Sequence, residues 1–178
     1  AGDESGRSVS TAGDVNGDGY ADILVGAPGG DSLAGETYVV FGSGSGFAAS
    51  LDLSTLDGSN GFRLDGIDAS DYSGISVSTA GDVNGDGYAD ILVGAYFADP
   101  GGDSSAGETY VVFGSGSGFA ASLDLSTLDG SNGFRLDGID AGDASGLSVG
   151  TAGDVNGDGY ADILVGAHGA DPGGDSSA

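Results

Sequence analysis

Apolar residues come in short runs along this chain. Ile-Leu-Val stands at 23–25, 91–93 and 163–165, each time between Asp and Gly-Ala, and Tyr-Val-Val-Phe stands at 38–41 and 110–113. These runs are rich in β-branched and aromatic side chains, too short for helices and closed by Gly, so they predict buried strands. Four strands can be read in succession mid-chain: Ile75–Thr79, Asp90–Gly94, Thr109–Phe113, and Phe134–Leu136 with its neighbours. The first of these carries Ser, Val, Thr and Ala, small enough for a crowded innermost position. The link Gly114–Asn132 sets Phe119, Leu123, Leu125 and Leu128 among small polar residues and is expected to pack on its own blade. No segment approaches the roughly 20 apolar residues of a membrane span.

The pattern repeats along the chain. Thr11–Ala27 recurs as Thr79–Ala95 and Thr151–Ala167, and the 36 residues Ala34–Ala69 recur unchanged as Ala106–Ala141. Ala1, Ala69 and Ala141 open equivalent units, which predicts repeats at 1–68 and 69–140 and a partial one at 141–178 holding strands 1 and 2 only. Units this alike come from recent duplication or from design. Four strands per unit predict an all-β fold of propeller blades with four antiparallel strands, about two and a half blades being present. Closed propellers have roughly 4–8 blades, so this chain is not expected to close alone. It reads as a window onto a longer protein, which the absence of Met and of a leader segment also favours, or as a piece whose copies cover one another's edges.

Between strands 1 and 2 every unit carries Asp-Val-Asn-Gly-Asp-Gly-Tyr-Ala-Asp. Side-chain oxygens stand at positions 1, 3, 5 and 9, and the carbonyl of position 7 is available to complete an all-oxygen shell around a hard cation. The expected ligands are Asp14, Asn16, Asp18, Tyr20 and Asp22; then Asp82, Asn84, Asp86, Tyr88 and Asp90; then Asp154, Asn156, Asp158, Tyr160 and Asp162. One Ca2+ per loop, three in all, is the expected cofactor. An EF-hand is excluded, because position 12 is Val25, Val93 or Val165 rather than Glu and a strand follows. A metal-free Asx/Gly turn is the plain alternative, and three identical copies weigh against it.

Charge agrees with cation binding. Against 28 acidic residues stand three basic ones, and the formal charge of −25 argues against nucleic acid and anionic membranes as partners. Without Cys there is no disulfide framework, so calcium would have to do the stapling.

Residues 74–95, Gly-Ile-Ser-Val-Ser-Thr-Ala-Gly-Asp-Val-Asn-Gly-Asp-Gly-Tyr-Ala-Asp-Ile-Leu-Val-Gly-Ala, followed by Gly-Glu-Thr-Tyr-Val-Val-Phe-Gly at 107–114, resemble the FG-GAP repeat of the integrin α-subunit propeller and its bacterial relatives. The resemblance covers essentially the whole chain. It implies a propeller and calcium in the loop between strands 1 and 2 at the positions named above. The Gly-Ala-Pro ending survives only at Gly26-Ala27-Pro28, with Tyr96 and His168 in place of Pro elsewhere. The long link is similar to those of large secreted or surface-attached bacterial proteins, which implies an extracellular, bacterial setting.

Other patterns are discounted. Gly146–Gly150 matches a nucleophile-elbow formula but falls within strand 1 rather than at a strand-to-helix turn. His168, the only histidine, lies in a variable loop without a catalytic partner. Arg63 and Arg135 are expected to face outward and balance local acids, and Asp71 and Asp143 to serve turns. Arg7 takes the place of Ile75 and Leu147, as a terminal unit would. The chain therefore reads as a non-enzymatic, calcium-binding extracellular module for adhesion to a protein or glycan. A calcium-stiffened array or fibre is the alternative, an accessory domain of a secreted hydrolase or lyase is weaker, and self-association is expected in either setting.

Overall fold

The protein is described here by a computed structural model covering residues 2–171; the end of the expected third unit, 172–178, lies outside the described residues. Eleven strands run in order: β1 (Ser8–Gly13), β2 (Asp22–Ala27), β3 (Glu36–Val40), β4 (Gly61–Asp65), β5 (Ser76–Gly81), β6 (Asp90–Ala95), β7 (Glu108–Val112), β8 (Ser122–Asp124), β9 (Gly133–Asp137), β10 (Ser145–Gly153) and β11 (Asp162–Ala167). They form antiparallel blades β1-β2-β3-β4 and β5-β6-β7-β9, then the hairpin β10-β11. The all-β expectation of partial, integrin-like blades holds, and no ring closes among the described residues.

Identical sequence gives identical register. Ile23 pairs with Val40 and Val39 with Phe62 in the first blade, as Ile91 pairs with Val112 and Val111 with Phe134 in the second. β1 lies against β5 and β5 against β10, so the small-residue strands are the ones where blades meet. Close approach explains the Gly in Val-Gly-Ala. A Cβ on Gly26 or Gly94 would collide with the carbonyl oxygen of Gly74 or Gly146 on the next blade. The first two blades share one core: Leu24, Val39, Phe62 and Leu64 pack with Val77, Ile91, Val93 and Tyr110. On the outer rows, Arg63 pairs with Glu36 at 3.4 Å and Asp65 at 2.5 Å, and Arg135 with Glu108 at 3.1 Å and Asp137 at 2.5 Å. The arginines balance local acids as expected.

The long link departs from expectation. Its β8 pairs in parallel with β4, Arg63 opposite Ser122 and Leu64 opposite Leu123, so it adds a fifth strand to the preceding blade. Phe119 stacks on Phe62 at a centroid distance of 4.2 Å, and the Arg63 N–H donates to the Ala121 carbonyl at 3.0 Å. The cause is the need of the outermost strand for cover: β4 presents Phe62, Leu64 and unpaired backbone groups, and the next unit's link supplies both rings and hydrogen bonds.

Candidate metal centre

Each Asp-rich loop is held first by its own side chains. Asp14 Oδ1 accepts the N–H groups of Gly17 at 2.8 Å and Asp18 at 3.0 Å, while its Oδ2 accepts that of Gly19 at 2.9 Å. Asn16 Oδ1 takes the Asp18 N–H and Asp18 Oδ1 the Tyr20 N–H, both at 2.9 Å, giving successive Asx turns. Gly17 and Gly19 supply the positive φ, +74° and +88°, that this winding requires. The second loop repeats the bonds at Asp82, Asn84 and Asp86, and the third at Asp154, Asn156 and Asp158.

The acid at position 9 is a strut. Asp22, buried, accepts from Val15 N–H at 2.9 Å and from Gly42 N–H, just past β3, at 2.8 Å. Asp90 does the same with Val83 and Gly114. Burial raises the Asp22 carboxyl above its ordinary value and pushes Asp90 up to about 6; amide donors pull down, and the neighbouring loop acids push up. In the third loop Asp162 keeps the Val155 bond, and its other oxygen takes the amide of Asn156 at 3.3 Å. Asn16 and Asn84 instead direct that amide to Asp18 and Asp86, at 3.0 and 2.9 Å. Across the copies, then, the position-3 amide reaches the acid at position 5 in two loops and the acid at position 9 in the third.

That donor set fits a hard cation in its chemistry: it is oxygen without sulfur or imidazole, in a tight loop that carries three acids in nine residues. Among the described residues no three acidic or imidazole groups form a ready-made cage. The oxygens face the loop's own N–H groups, which partly offset the mutual repulsion of the carboxylates.

Sequence reasoning missed how the loops touch. Ala89 N–H donates to the Asp14 carbonyl, and Ala161 N–H to the Asp82 carbonyl, both at 3.0 Å. The Tyr88 ring lies over Gly17 and the Tyr160 ring over Gly85, where any Cβ would strike the ring. Spacing within the loop assigns Tyr at position 7 only a carbonyl; its side chain clamps the preceding loop. The signal was present, because Tyr at position 7 always accompanies Gly at position 4. The discounted groups stand apart: His168 is exposed on the loop after β11, Gly146–Gly150 lies within β10, and Arg7 is exposed. Asp143 accepts from Asp140 N–H at 3.1 Å, the turn role expected of it. Asp71 is buried, and desolvation pushes its carboxyl up to about 6.

Comparison with known proteins bears on this arrangement. The FG-GAP repeat family matches residues 5–46, 73–112 and 145–178. Integrin alpha-7 of Rattus norvegicus is 36% identical over 86% of this chain and 12% of its own length. Integrin alpha-IIb of Homo sapiens is 34% identical over 93% of the chain and 15% of its own length. A phosphatidylinositol-glycan-specific phospholipase D of Bos taurus is 33% identical over 92% of the chain and 19% of its own length. The chain thus spans less than a fifth of each of these relatives. All three come from animals and lend no support to the bacterial setting that the link implied. No helix among the described residues is long and apolar enough to cross a membrane.

Proposed function

The chain belongs to the FG-GAP repeat family, and we propose that it is a calcium-binding, extracellular propeller module serving adhesion, through loops that present a surface to another protein or a glycan. Each of the three units takes one Ca2+. Asp, Asn and Asp at positions 1, 3 and 5 and Asp at position 9 supply side-chain oxygens, and the Tyr at position 7 supplies its carbonyl. The repeats divide at 1–68, 69–140 and 141–178. The observation that carries the reading is the recurrence of one Asx-turned, oxygen-rich loop between the first two strands of all three units.

When bound, calcium would supply charge neutralisation and a rigid cross-link between the loop and the start of strand 2. The chain's own residues do the rest. Asp22 and Asp90 tie the first two loops to the ends of β3 and β7, and Tyr88 and Tyr160 tie loop to loop. Likeness to integrins supports the adhesive, extracellular reading, whereas likeness to a phospholipase leaves room for an enzymatic setting. We favour the non-catalytic role because the loop acids are assigned to the cation and, among the described residues, the exposed His168 has no acid paired with it.

The test has two arms. Melting is followed in chelator, in millimolar calcium and in millimolar magnesium, and the immobilised chain is then screened for calcium-dependent retention of matrix proteins and glycans. Calcium should raise the melting temperature, with magnesium a poor substitute because it prefers a smaller octahedron and holds its waters. Equal melting in chelator and calcium would remove the metal assignment; retention that ignores calcium would remove its link to adhesion.

A further inference from the structure

Neighbouring Asp-rich loops touch at the residues that wind them. Gly17, at position 4 of the first loop, donates its N–H to Asp14 Oδ1 at 2.8 Å, and Gly85 donates to Asp82 Oδ1 at 2.7 Å. These are the residues that the next loop covers: a Cβ on Gly17 would strike the Tyr88 ring, and one on Gly85 the Tyr160 ring. The far end of the Tyr88 ring is held as well, since its hydroxyl sits where a Cβ of Gly116 would be. The ring is therefore wedged between the first loop and the turn after β7 of its own blade.

Backbone contacts join the same two loops. Ala89 N–H donates to the Asp14 carbonyl at 3.0 Å, Ser115 N–H donates to the Val15 carbonyl at 2.9 Å, and the Ala89 methyl group lies where a Cβ of Gly13 would be. Between the second and third loops the pattern returns, with Ala161 N–H on the Asp82 carbonyl at 3.0 Å and the Ala161 methyl group against Gly81. Positions 1, 2 and 4 of the first loop are thus held by the following unit. Position 7 faces both ways: its carbonyl is the assigned ligand of its own loop, and its ring packs on the loop before. With the second loop ordered around an ion, the Tyr88 backbone is fixed, and the ring and the Ala89 N–H are fixed where they support Asp14. The first loop then has less freedom to lose on taking an ion of its own, which is positive coupling without a change of shape. Repulsion between bound cations acts in the opposite sense, but salt screens it, with a Debye length of ~8 Å at ~0.15 M, and does not screen the contact of ring and glycine.

We propose, resting on the reading that each loop takes one Ca2+, that Tyr88 and Tyr160 are positioning residues that couple the cation sites of adjacent loops. An ordered loop raises the calcium affinity of the loop before it, and by reciprocity a filled loop raises the affinity of the loop after it. Calcium then enters the repeats as a linked series rather than as independent ions. The coupling runs between nearest neighbours, which is the form that repeat architecture imposes on any interaction between units.

Calorimetric titration with calcium of the 178-residue chain carrying Asp158→Asn, which leaves the first two loops intact, tests this at ~0.15 M salt. Two single-site chains complete the comparison, one with Asp86→Asn added and one with Asp18→Asn added. Asn keeps an oxygen to accept the position-7 N–H while removing the charge, and circular dichroism checks each fold. The product of the two affinities in the two-site chain should exceed the product of the single-site affinities at least ~fivefold. That excess should persist in Tyr88→Phe, which keeps the ring, and vanish when Tyr88→Ala is placed in all three chains. A two-site titration equal to the sum of the single ones, or weaker than it, overturns the coupling and leaves the calcium assignment standing. An excess that survives Tyr88→Ala overturns the role of the ring. Absence of calcium binding in every chain overturns the calcium assignment and this inference with it.

Discussion

The first two blades hold 36 consecutive identical residues and differ in what surrounds them. In the second, flanked by β1 on one side and β10 on the other, Ile91 and Val93 are 0% exposed and Tyr110 1%. In the first, the corresponding Ile23 is 47% exposed and Tyr38 8%. At the outer edge the order reverses: Phe62 and Leu64 are sealed by the following link, while Phe134 and Leu136 are half-buried. Side chains of one sequence and one register thus contribute differently to stability according to their neighbours, as repeat proteins require when interfaces between units carry much of the energy.

The largest expected effect comes from the loops, which extend the comparison. Tyr88 and Tyr160 clamp the first two loops, whereas among the described residues no ring lies over Gly157 of the third. With calcium at about a hundred times its Kd, each site adds ~2.7 kcal/mol to stability, or ~8 kcal/mol for three. Calorimetric titration should resolve two tighter sites and one weaker; three equal sites would break the comparison.

Next in size is Phe62→Ala, expected to cost ~3–5 kcal/mol as a fully buried aromatic, against about half that for Phe134→Ala. Urea denaturation of both variants gives the ratio, and equal losses would mean that the outer edges are equally covered in solution. A smaller effect separates Gly58→Ala from Gly130→Ala. Both glycines have φ of +92°, so each variant incurs ~1–2 kcal/mol of backbone strain, but only the methyl group added at position 58 would also push against the Phe119 carbonyl. Gly58→Ala should be the costlier by roughly another 1 kcal/mol, which the same urea titrations would resolve.

The smallest effect concerns Asp71, buried at the junction of the two blades, where desolvation raises its carboxyl to about 6. A raised folded-state value means that Asp71 favours folding fully below pH 3.8 and that this contribution is lost as pH climbs through about 6. Asp71→Asn should therefore raise the melting temperature at pH 7 and lose that advantage near pH 4; a pH-independent difference would mean that the junction is open to water.

Strands and blades were legible because Ile-Leu-Val and Tyr-Val-Val-Phe are short, β-branched and bounded by Gly, and because repetition fixes equivalent positions. The loops were legible as candidate cation binders because Asp, Asn, Asp and Asp stand at fixed offsets. Two features were not. Phe119 and Leu123 announce that the link packs, but which blade receives them depends on three-dimensional adjacency, to which periodicity is blind. The Tyr88 ring over Gly17 joins residues in different units, and sequence spacing records only distances within one loop. The Asp22 bond to Gly42 likewise spans a whole hairpin, and nothing in the loop's own composition points to it.

The seal of one blade by the next unit's link bears on how such a chain gains and loses copies. Ala34–Ala69 and Ala106–Ala141 are the same, so a link copied from either place fits the edge of either blade. Unequal recombination between the two stretches inserts or removes one unit and leaves every seam with its own match. No compensating change is needed elsewhere, and copy number can drift without passing through an ill-fitting intermediate. A single substitution at the seam, such as a charge at Phe119, would end that freedom, because the altered link would then suit only a blade that had changed with it.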